Sequence, residues 1–253
     1  MKKAFIVTSA IDVDNNYPLT YNPVRSYFSN EERLRQTIST VAALDLRSDP
    51  DTTIYILDIS ENWITYKVFF LYQKNLKFIS IRDQFPEIVD TVNTHPNKSY
   101  CECLIMSSFL RKYKEELDQF DYTIKLSGRY FIDRTFDIDI FNKYNTDKIF
   151  YKEPHVWDWD DSWNYSIVDN RENQGDNTLR QYCSVLYGWG RKHNNTFLDI
   201  LTAASTMLGQ SNMSHMDIET LSYYFTRPYE KDIIETDWIV YGWDGASGHF
   251  KRY

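Results

Sequence analysis

Short apolar runs alternating with capped amphipathic helices constrain this chain more than any other feature. Residues 3–9 (KAFIVTS) read as a buried strand. Ser29-x-x-Glu32 is a capping box, the reciprocal pairing that opens a helix. Leu34, Ile38, Val41 and Leu44 then share one face before Ser48-Asp49-Pro50 ends it. A second strand is expected over 53–59, a short aromatic helix over 62–72 and a third strand over 78–81. A second box, Ser99-x-x-Glu102, is expected to start a helix with Ile105, Phe109, Tyr113 and Leu117 on one face, which feeds a strand containing Lys125. This β-α-β-α-β order is the pattern of a parallel sheet in an α/β domain.

Beyond residue 140 the pattern loosens. A strand is expected over 149–152, an aromatic-acidic stretch over 155–163, a polar loop to about 177 and a strand over 182–189. Helices over 197–208 and 216–225 follow. No internal repeat or low-complexity linker interrupts the chain, so residues 1–253 read as one domain, with a more regular half over 1–140 and a mixed half over 141–253. The loop of some twenty residues after the first strand is long enough to expect a role for it.

Composition removes several classes. A formal net charge of -8 disfavours a broad basic face for nucleic acid, although a local basic cleft survives that argument. The opening apolar run is too short for a signal sequence, and nothing approaches the roughly eighteen apolar residues of a membrane span. Cys101 and Cys103 are too close for an easy helix disulfide and Cys183 is distant, which points to reduced thiols and a cytoplasmic setting. There is no Gly-x-Gly-x-x-Gly, phosphate-binding P-loop, Gly-x-Ser-x-Gly or zinc-spaced Cys/His set. Tyr and Trp are abundant, at 20 and 7, and amphipathic rings in such number suit either a Tyr-rich core or platforms on which sugars stack.

The strand with Lys125 stops at Ser127-Gly128-Arg129 and resumes with Tyr130-Phe131. Glycine lets the backbone turn and approach a ligand closely, and a guanidinium fork matches phosphate oxygens. An ordinary turn whose Arg makes a surface pair is the competing account. Lys125-Leu-Ser-Gly-Arg-Tyr130, preceded by Asp121-Tyr122, resembles the Lys-(Ile/Leu)-Ser-Gly-Arg-Tyr signature of bacterial and viral glycosyltransferases related to lipopolysaccharide and capsule synthesis. Shorter matches at Arg33-x-x-x-Thr37, Ile56-Leu57-Asp58-Ile59-Ser60 and Lys98-Ser99 extend the resemblance over most of the first 140 residues.

The resemblance implies a single-domain GT-A-like α/β fold with a mostly parallel central sheet and a nucleotide-sugar donor as co-substrate. In such sheets ligands sit beyond the carboxyl ends of the strands, which would gather Thr8, Ser9, Asp58, Ser60, Ser127 and Arg129 at one crevice. Arg129, helped by Lys125, is expected to face the donor diphosphate, with Gly128 and Tyr130 beside it. Arg33 and Thr37 on the first helix are nucleotide-side candidates, against a solvated helix face. Lys98 and Ser99 are candidates because a helix start offers free amides to a phosphate.

Many GT-A enzymes place a divalent metal on an Asp-x-Asp pair. Here the comparable strand ends in Ser-Gly-Arg, so metal independence is favoured and metal dependence left open. Of the pairs Asp12/Asp14, Asp137/Asp139 and Asp158/Asp160, only Asp158 with Asp160 or Asp161, beside Trp157, Trp159 and Trp163, resembles a sugar or metal site. Trp157 and Trp159, with Tyr187 and Trp189 on the later strand, are the acceptor-side platforms. Asp217 or Glu219, at the start of a late helix, is the candidate base for the acceptor hydroxyl. In the competing account Ser214 caps that helix and Asp217 is its capping partner. Residues 241–249 are expected to be either a lid over the diphosphate or a mobile tail.

Together these imply sugar transfer to a hydroxyl acceptor, a surface glycan or lipopolysaccharide. A phage enzyme acting on a hydroxymethylated DNA base is disfavoured by the acidic balance, and a non-catalytic carbohydrate-binding module is the alternative from another class. Donor, acceptor, stereochemistry and oligomeric state stay open.

Overall fold

The computed structural model describes residues 1–133, 136–158, 178–210, 216–245 and 247–253. Its central sheet contains β1 (Lys3–Ser9), β2 (Thr52–Asp58), β3 (Leu76–Ser80), β4 (Tyr122–Ser127), β6 (Ile149–Lys152), β9 (Leu186–Gly190) and β10 (Ile233–Thr236). The order is β10-β6-β9-β4-β1-β2-β3. β1, β2, β3 and β4 run parallel, β10 is parallel to β6, and β9 runs antiparallel between β4 and β6. This is the mostly parallel α/β arrangement expected. β5 (Tyr130–Ile132), β11 (Val240–Trp243) and β12 (Phe250–Arg252) form a second sheet, and β7 (His155–Asp158) pairs with β8 (Thr178–Gln181) in a ribbon.

Alternation along the strands sends side chains to two cores, as expected of a sheet covered on both faces. Ala4, Ile6, Tyr55 and Leu57 face one cluster with Met106 and Phe109 of α2 (Lys98–Lys112) and Phe197 and Leu201 of α3 (Asn194–Leu208). Phe5, Val7, Ile54, Ile56, Ile124 and Leu126 face the other, with Leu34, Val41 and Leu44 of α1 (Asn30–Asp45). α4 (Ile218–Thr226) completes the first layer through Ile218 and Leu221.

The first capping box holds as expected, and three expected features change. The Ser29/Glu32 box forms, with the Ser29 amide donating to Glu32 Oε2 at 2.8 Å and the Glu32 amide to Ser29 Oγ at 3.3 Å. Asp137 caps the short helical turn Ile138–Lys143, accepting from the Asp139 amide at 2.9 Å. The Ser99/Glu102 box does not form. Asn97 caps α2, accepting from the Tyr100 amide at 3.0 Å, because its amide group also anchors the α4 approach by donating to Met216 O at 2.9 Å. The strand expected over 182–189 starts at Leu186 instead, since residues 178–181 pair with β7. Residues 241–249 are neither free tail nor separate lid: β11 pairs with β5 and β12, and the turn between β11 and β12 is held against the body, with the Tyr27 amide donating to Gly245 O at 3.3 Å.

Candidate active site

The strand order reverses at β1, from which the chain proceeds to β2 and β3 on one side and to β4 on the other. Such a switch point opens a crevice at the carboxyl ends of the two central strands. A cleft of about 170 Å³ lies there, lined by Thr8, Ser9, Ser127, Arg129, Arg33 and Lys98, and also by Asp12, Asp14, Arg25, Asn93, Cys101 and Glu102.

Four cations converge on it, each held by neutral acceptors. Arg33 is buried on α1; its Nε donates to Ala10 O and its Nη1 to Ser26 Oγ at 3.0 Å. Arg25 is buried in the first long loop, with Nε on Tyr17 O at 2.8 Å and Nη2 on His95 O. Lys98 Nζ donates to Arg25 O at 2.7 Å, and Arg129 Nε to Trp243 O at 3.2 Å. None of the four forms an ion pair among the described residues. Burial first, then the charges of Arg129 and Arg33, push the Lys98 ammonium down to about 7, with Asp244 opposing. Burial and Arg129 likewise lower Arg33, although a guanidinium stays charged at neutral pH. Four cations crowded without direct ion pairs, although Asp12, Asp14 and Glu102 share the lining and Asp58 and Asp244 act on them from nearby, favour an anionic ligand.

The C-terminal turn positions Arg129. Trp243 N donates back to Arg129 O at 3.3 Å, and Gly245 lies so close that a Cβ there would stand 3.1 Å from Arg129 Cζ. At Gly242 a Cβ would meet Arg129 O at 2.3 Å, so only glycine fits this crossing of β11 over the motif. Gly128 serves the same purpose: its amide donates to Thr8 O at 2.8 Å, and a Cβ would approach that oxygen to 2.9 Å. It brings β1 and β4 together rather than making room for a ligand.

Several sequence candidates lie outside the cleft lining, each for a physical reason. Asp58 is fully buried and accepts from the amides of Ser60 at 2.8 Å and Ile11 at 3.2 Å; burial pushes its carboxyl up and these bonds oppose it. Ser60 Oγ accepts from the Ile11 and Asp12 amides, both at 2.9 Å. The pair therefore latches the turn after β1 from below. Thr37 supports Ser9, their hydroxyl oxygens 3.2 Å apart. Tyr130 is buried against Tyr253 and holds the base of Arg129, whose Cζ lies 6.0 Å from its ring. Ser99, in the first turn of α2, does not line the cleft.

Lys125 is the clearest correction. It is completely buried beneath the cleft, paired with Glu102 and donating to Ser127 Oγ at 2.8 Å and to Ser184 O at 2.5 Å. It cannot meet a diphosphate directly, because its donors are spent within the fold and Glu102 neutralises it. Its effect is to tie Ser127 at the cleft to Ser184.

Ser184 Oγ in turn donates to Glu219 Oε1 in the first turn of α4. Burial first, then the neighbouring Asp217 carboxylate, push Glu219 up to about 7, with the Ser184 hydroxyl opposing and Glu102 adding to the rise. Asp217 is itself the N-cap of α4: Oδ1 accepts from the Thr220 amide at 2.7 Å and Oδ2 from Gln181 Nε2 at 2.8 Å. Burial raises Asp217 while its Thr220 and Gln181 bonds oppose. The expected capping by Ser214 involves a residue outside the described ones; the cap observed is Asp217.

Gln181 also accepts from Trp157 Nε1 at 2.7 Å. Trp157 is exposed on β7, next to His155, and is oriented toward the carboxylates through that amide. Tyr187 and Trp189 are not platforms. Both are buried in the core, where Trp189 stacks on Phe197 at 4.2 Å and Tyr187 on Phe197 at 5.9 Å. β9 is interior to the sheet and both faces of it are covered, which the sequence of one strand does not reveal. Asp158 is exposed at the end of β7; Trp159 and Asp160 lie outside the described residues. Among the described residues no group of three or more His, Cys, Asp or Glu side chains is placed to hold a metal ion.

Arg25 and Glu102 were missed from the sequence. The length of the loop that holds Arg25 is the available signal, but not its aim; Glu102 was assigned to a cap that Asn97 provides.

No protein-family model matches the chain, and no curated protein matches its sequence. Among solved structures it is similar to the crystal structure of the glycosyltransferase GlyE of Streptococcus pneumoniae TIGR4, at a TM-score of 0.46 and 11% identity, over 94% of this chain and 45% of that one. The chain thus spans less than half the length of that structure.

Proposed function

We propose that this protein is a GT-A-like, nucleotide-sugar-dependent glycosyltransferase acting on a hydroxyl acceptor. The observation that supports it most is the set of four cations without ion-pair partners around one cleft at the sheet's switch point. A donor diphosphate supplies the ion-pair partners these cations lack. Arg129, Lys98, Arg33 and Arg25 stabilise the negative charge that grows on it as its bond to the sugar carbon breaks, by preorganised electrostatics. The Lys125-to-Ser184 connection keeps that cleft in register with Glu219. Glu219 takes the proton of the acceptor hydroxyl as its oxygen bonds to the sugar carbon, and a group poised at about 7 suits that exchange at neutral pH. Asp217 fixes the start of α4 and keeps Glu219 basic; Trp157 is the sugar-stacking platform on the acceptor side.

Metal-independent transfer is the form this charge arrangement favours. A surface glycan or lipopolysaccharide is the acceptor class implied by the Lys-Leu-Ser-Gly-Arg-Tyr motif. Cations gathered in a cleft, on a chain of net charge -8, suit a small anion better than duplex DNA. The binding-module alternative loses Tyr187 and Trp189 as platforms. Release of nucleoside diphosphate from UDP-, GDP- and dTDP-sugars, and of the monophosphate from CMP-sugars, in chelator or manganese, tests the proposal. Slow turnover of one donor in chelator is expected, and no release from any donor under either condition would defeat it.

A further inference from the structure

The segment joining β2 to β3 is apolar on both faces. Its helical turns, Trp63–Lys67 and Val68–Phe70, direct Trp63, Tyr66 and Phe70 inward at the spacing of one helical face. Phe70 is buried, Trp63 stacks on Phe78 with centroids 6.4 Å apart, and the Tyr66 hydroxyl donates to Asp12 at 2.5 Å. The opposite face presents Ile64, Val68, Leu71 and Tyr72 to solvent at 67%, 61%, 66% and 67% exposure, with Phe69 at 46%. Five large apolar side chains within nine residues form a contiguous patch, unlike the scattered exposure of an ordinary surface. β3 is the edge of the sheet, and no further strand of it shields this side.

Charge around the patch selects its partner. Residues 62–82 contain Lys67, Lys74, Lys77 and Arg82 and no Asp or Glu, with Glu61 and Asp83 flanking them and Asp45 and Asp49 sharing a cleft with Tyr72 and Lys74, within a chain whose acidic residues outnumber its basic ones by eight. Lys77 pairs with Glu116 at 2.5 Å and Arg82 donates to Ile59 O at 3.0 Å. Lys67 and Lys74 form no ion pair among the described residues. An apolar ridge with lysines outside ion pairs, Lys67 lying 5.9 Å over the Trp63 ring, complements a surface that is apolar just beneath a negatively charged layer. A second copy fits less well, since a two-fold contact through this patch would set its lysines against themselves.

We propose that residues 63–74 dock this protein peripherally on an anionic lipid bilayer. Ile64, Val68, Phe69, Leu71 and Tyr72 enter the headgroup boundary, and Lys67 and Lys74 meet lipid phosphates. Asn62 and Tyr66, at the start of the segment, both grip Asp12 of the cleft, so docking places the cleft mouth beside the membrane. The proposal rests on the exposed face and its lysines and stands apart from the reading of the cleft.

Sedimentation with vesicles of phosphatidylcholine plus phosphatidylglycerol, against phosphatidylcholine alone, tests it. The full chain should pellet with the anionic vesicles and be released by salt. Lys67→Gln with Lys74→Gln should weaken binding about 30-fold. Val68→Ser and Leu71→Ser should each weaken it roughly tenfold while leaving the melting temperature unchanged, because neither side chain is in the core. Folded wild type that stays in the supernatant, or substitutions without effect on pelleting, would overturn the proposal. Dimerisation abolished by Leu71→Ser would also overturn it, by assigning the face to a second copy.

Discussion

The cleft cations and the α4 carboxylates are both enclosed groups of like charge, and the fold treats them differently. Arg25, Arg33, Lys98 and Arg129 donate to the carbonyl oxygens of Tyr17, His95, Ala10, Arg25 and Trp243. Those neutral acceptors orient the cations without discharging them. Asp217 and Glu219 accept from an amide, a carboxamide and a hydroxyl, and the pair relieves its repulsion by keeping a proton on Glu219 to higher pH. In the proposed reading, one cluster takes its counter-ion from the donor and the other exchanges a proton with the acceptor. Donor binding and proton transfer, as proposed, call for those two responses.

The largest effect that separates the clusters is expected from Glu219→Gln, which should lower turnover about 10²–10⁴-fold while leaving donor affinity intact. It should also raise the melting temperature of the ligand-free protein above about pH 7. Glu219 holds its proton more tightly when folded, so between its ordinary value and about 7 the folded state binds the extra proton and stability falls as pH rises. The carboxamide removes that loss, and the gain over wild type should shrink as the pH is lowered toward the ordinary carboxylate range. A melting-temperature series over pH checks the sign. Arg129→Ala should do the reverse, weakening donor affinity roughly 10- to 100-fold in a binding titration.

The α4 cap and the buried lysine beneath the cleft show how far the sequence could be read. The Ser29/Glu32 box, the strands beside it and the Ser127-Gly128-Arg129 break are local patterns and were legible. Ser99/Glu102 has the same local pattern and failed, because Lys125, brought under α2 by the sheet, claims Glu102, and Asn97 takes the cap. Tyr187 and Trp189 misled for a related reason: aromatic side chains suit a core and a sugar platform equally, and β9 turned out to have neighbours on both edges and cover on both faces. Arg25 lies in a loop without periodicity, so nothing local aims it.

A smaller effect concerns Lys98. Its folded value is depressed to about 7, so its contribution to stability is present above the ordinary lysine value and lost as pH falls through about 7. A bound diphosphate restores the charged form. Donor binding should therefore take up as much as about one proton above pH 7 and weaken as pH rises. Calorimetric titration in two buffers of different ionisation heat measures that uptake, and Lys98→Met should abolish it. Smallest of all, Asp217→Ala should cost about 1 kcal/mol of stability through the lost cap, and Asp217→Asn much less. In Asp217→Asn the like charge next to Glu219 disappears, so the midpoint of the pH–rate profile should move down.

The most direct measurement is the thermal shift of wild type and Arg129→Ala with UDP-, GDP-, CMP- and dTDP-linked sugars in chelator. A ligand at about 100 times its dissociation constant adds roughly 2.7 kcal/mol, which for a chain of this size raises the melting temperature by about 5–10 °C. The account predicts that shift for one nucleotide in wild type and its reduction to about half or less in Arg129→Ala. A folded wild type that responds to no donor, with or without manganese, would contradict it.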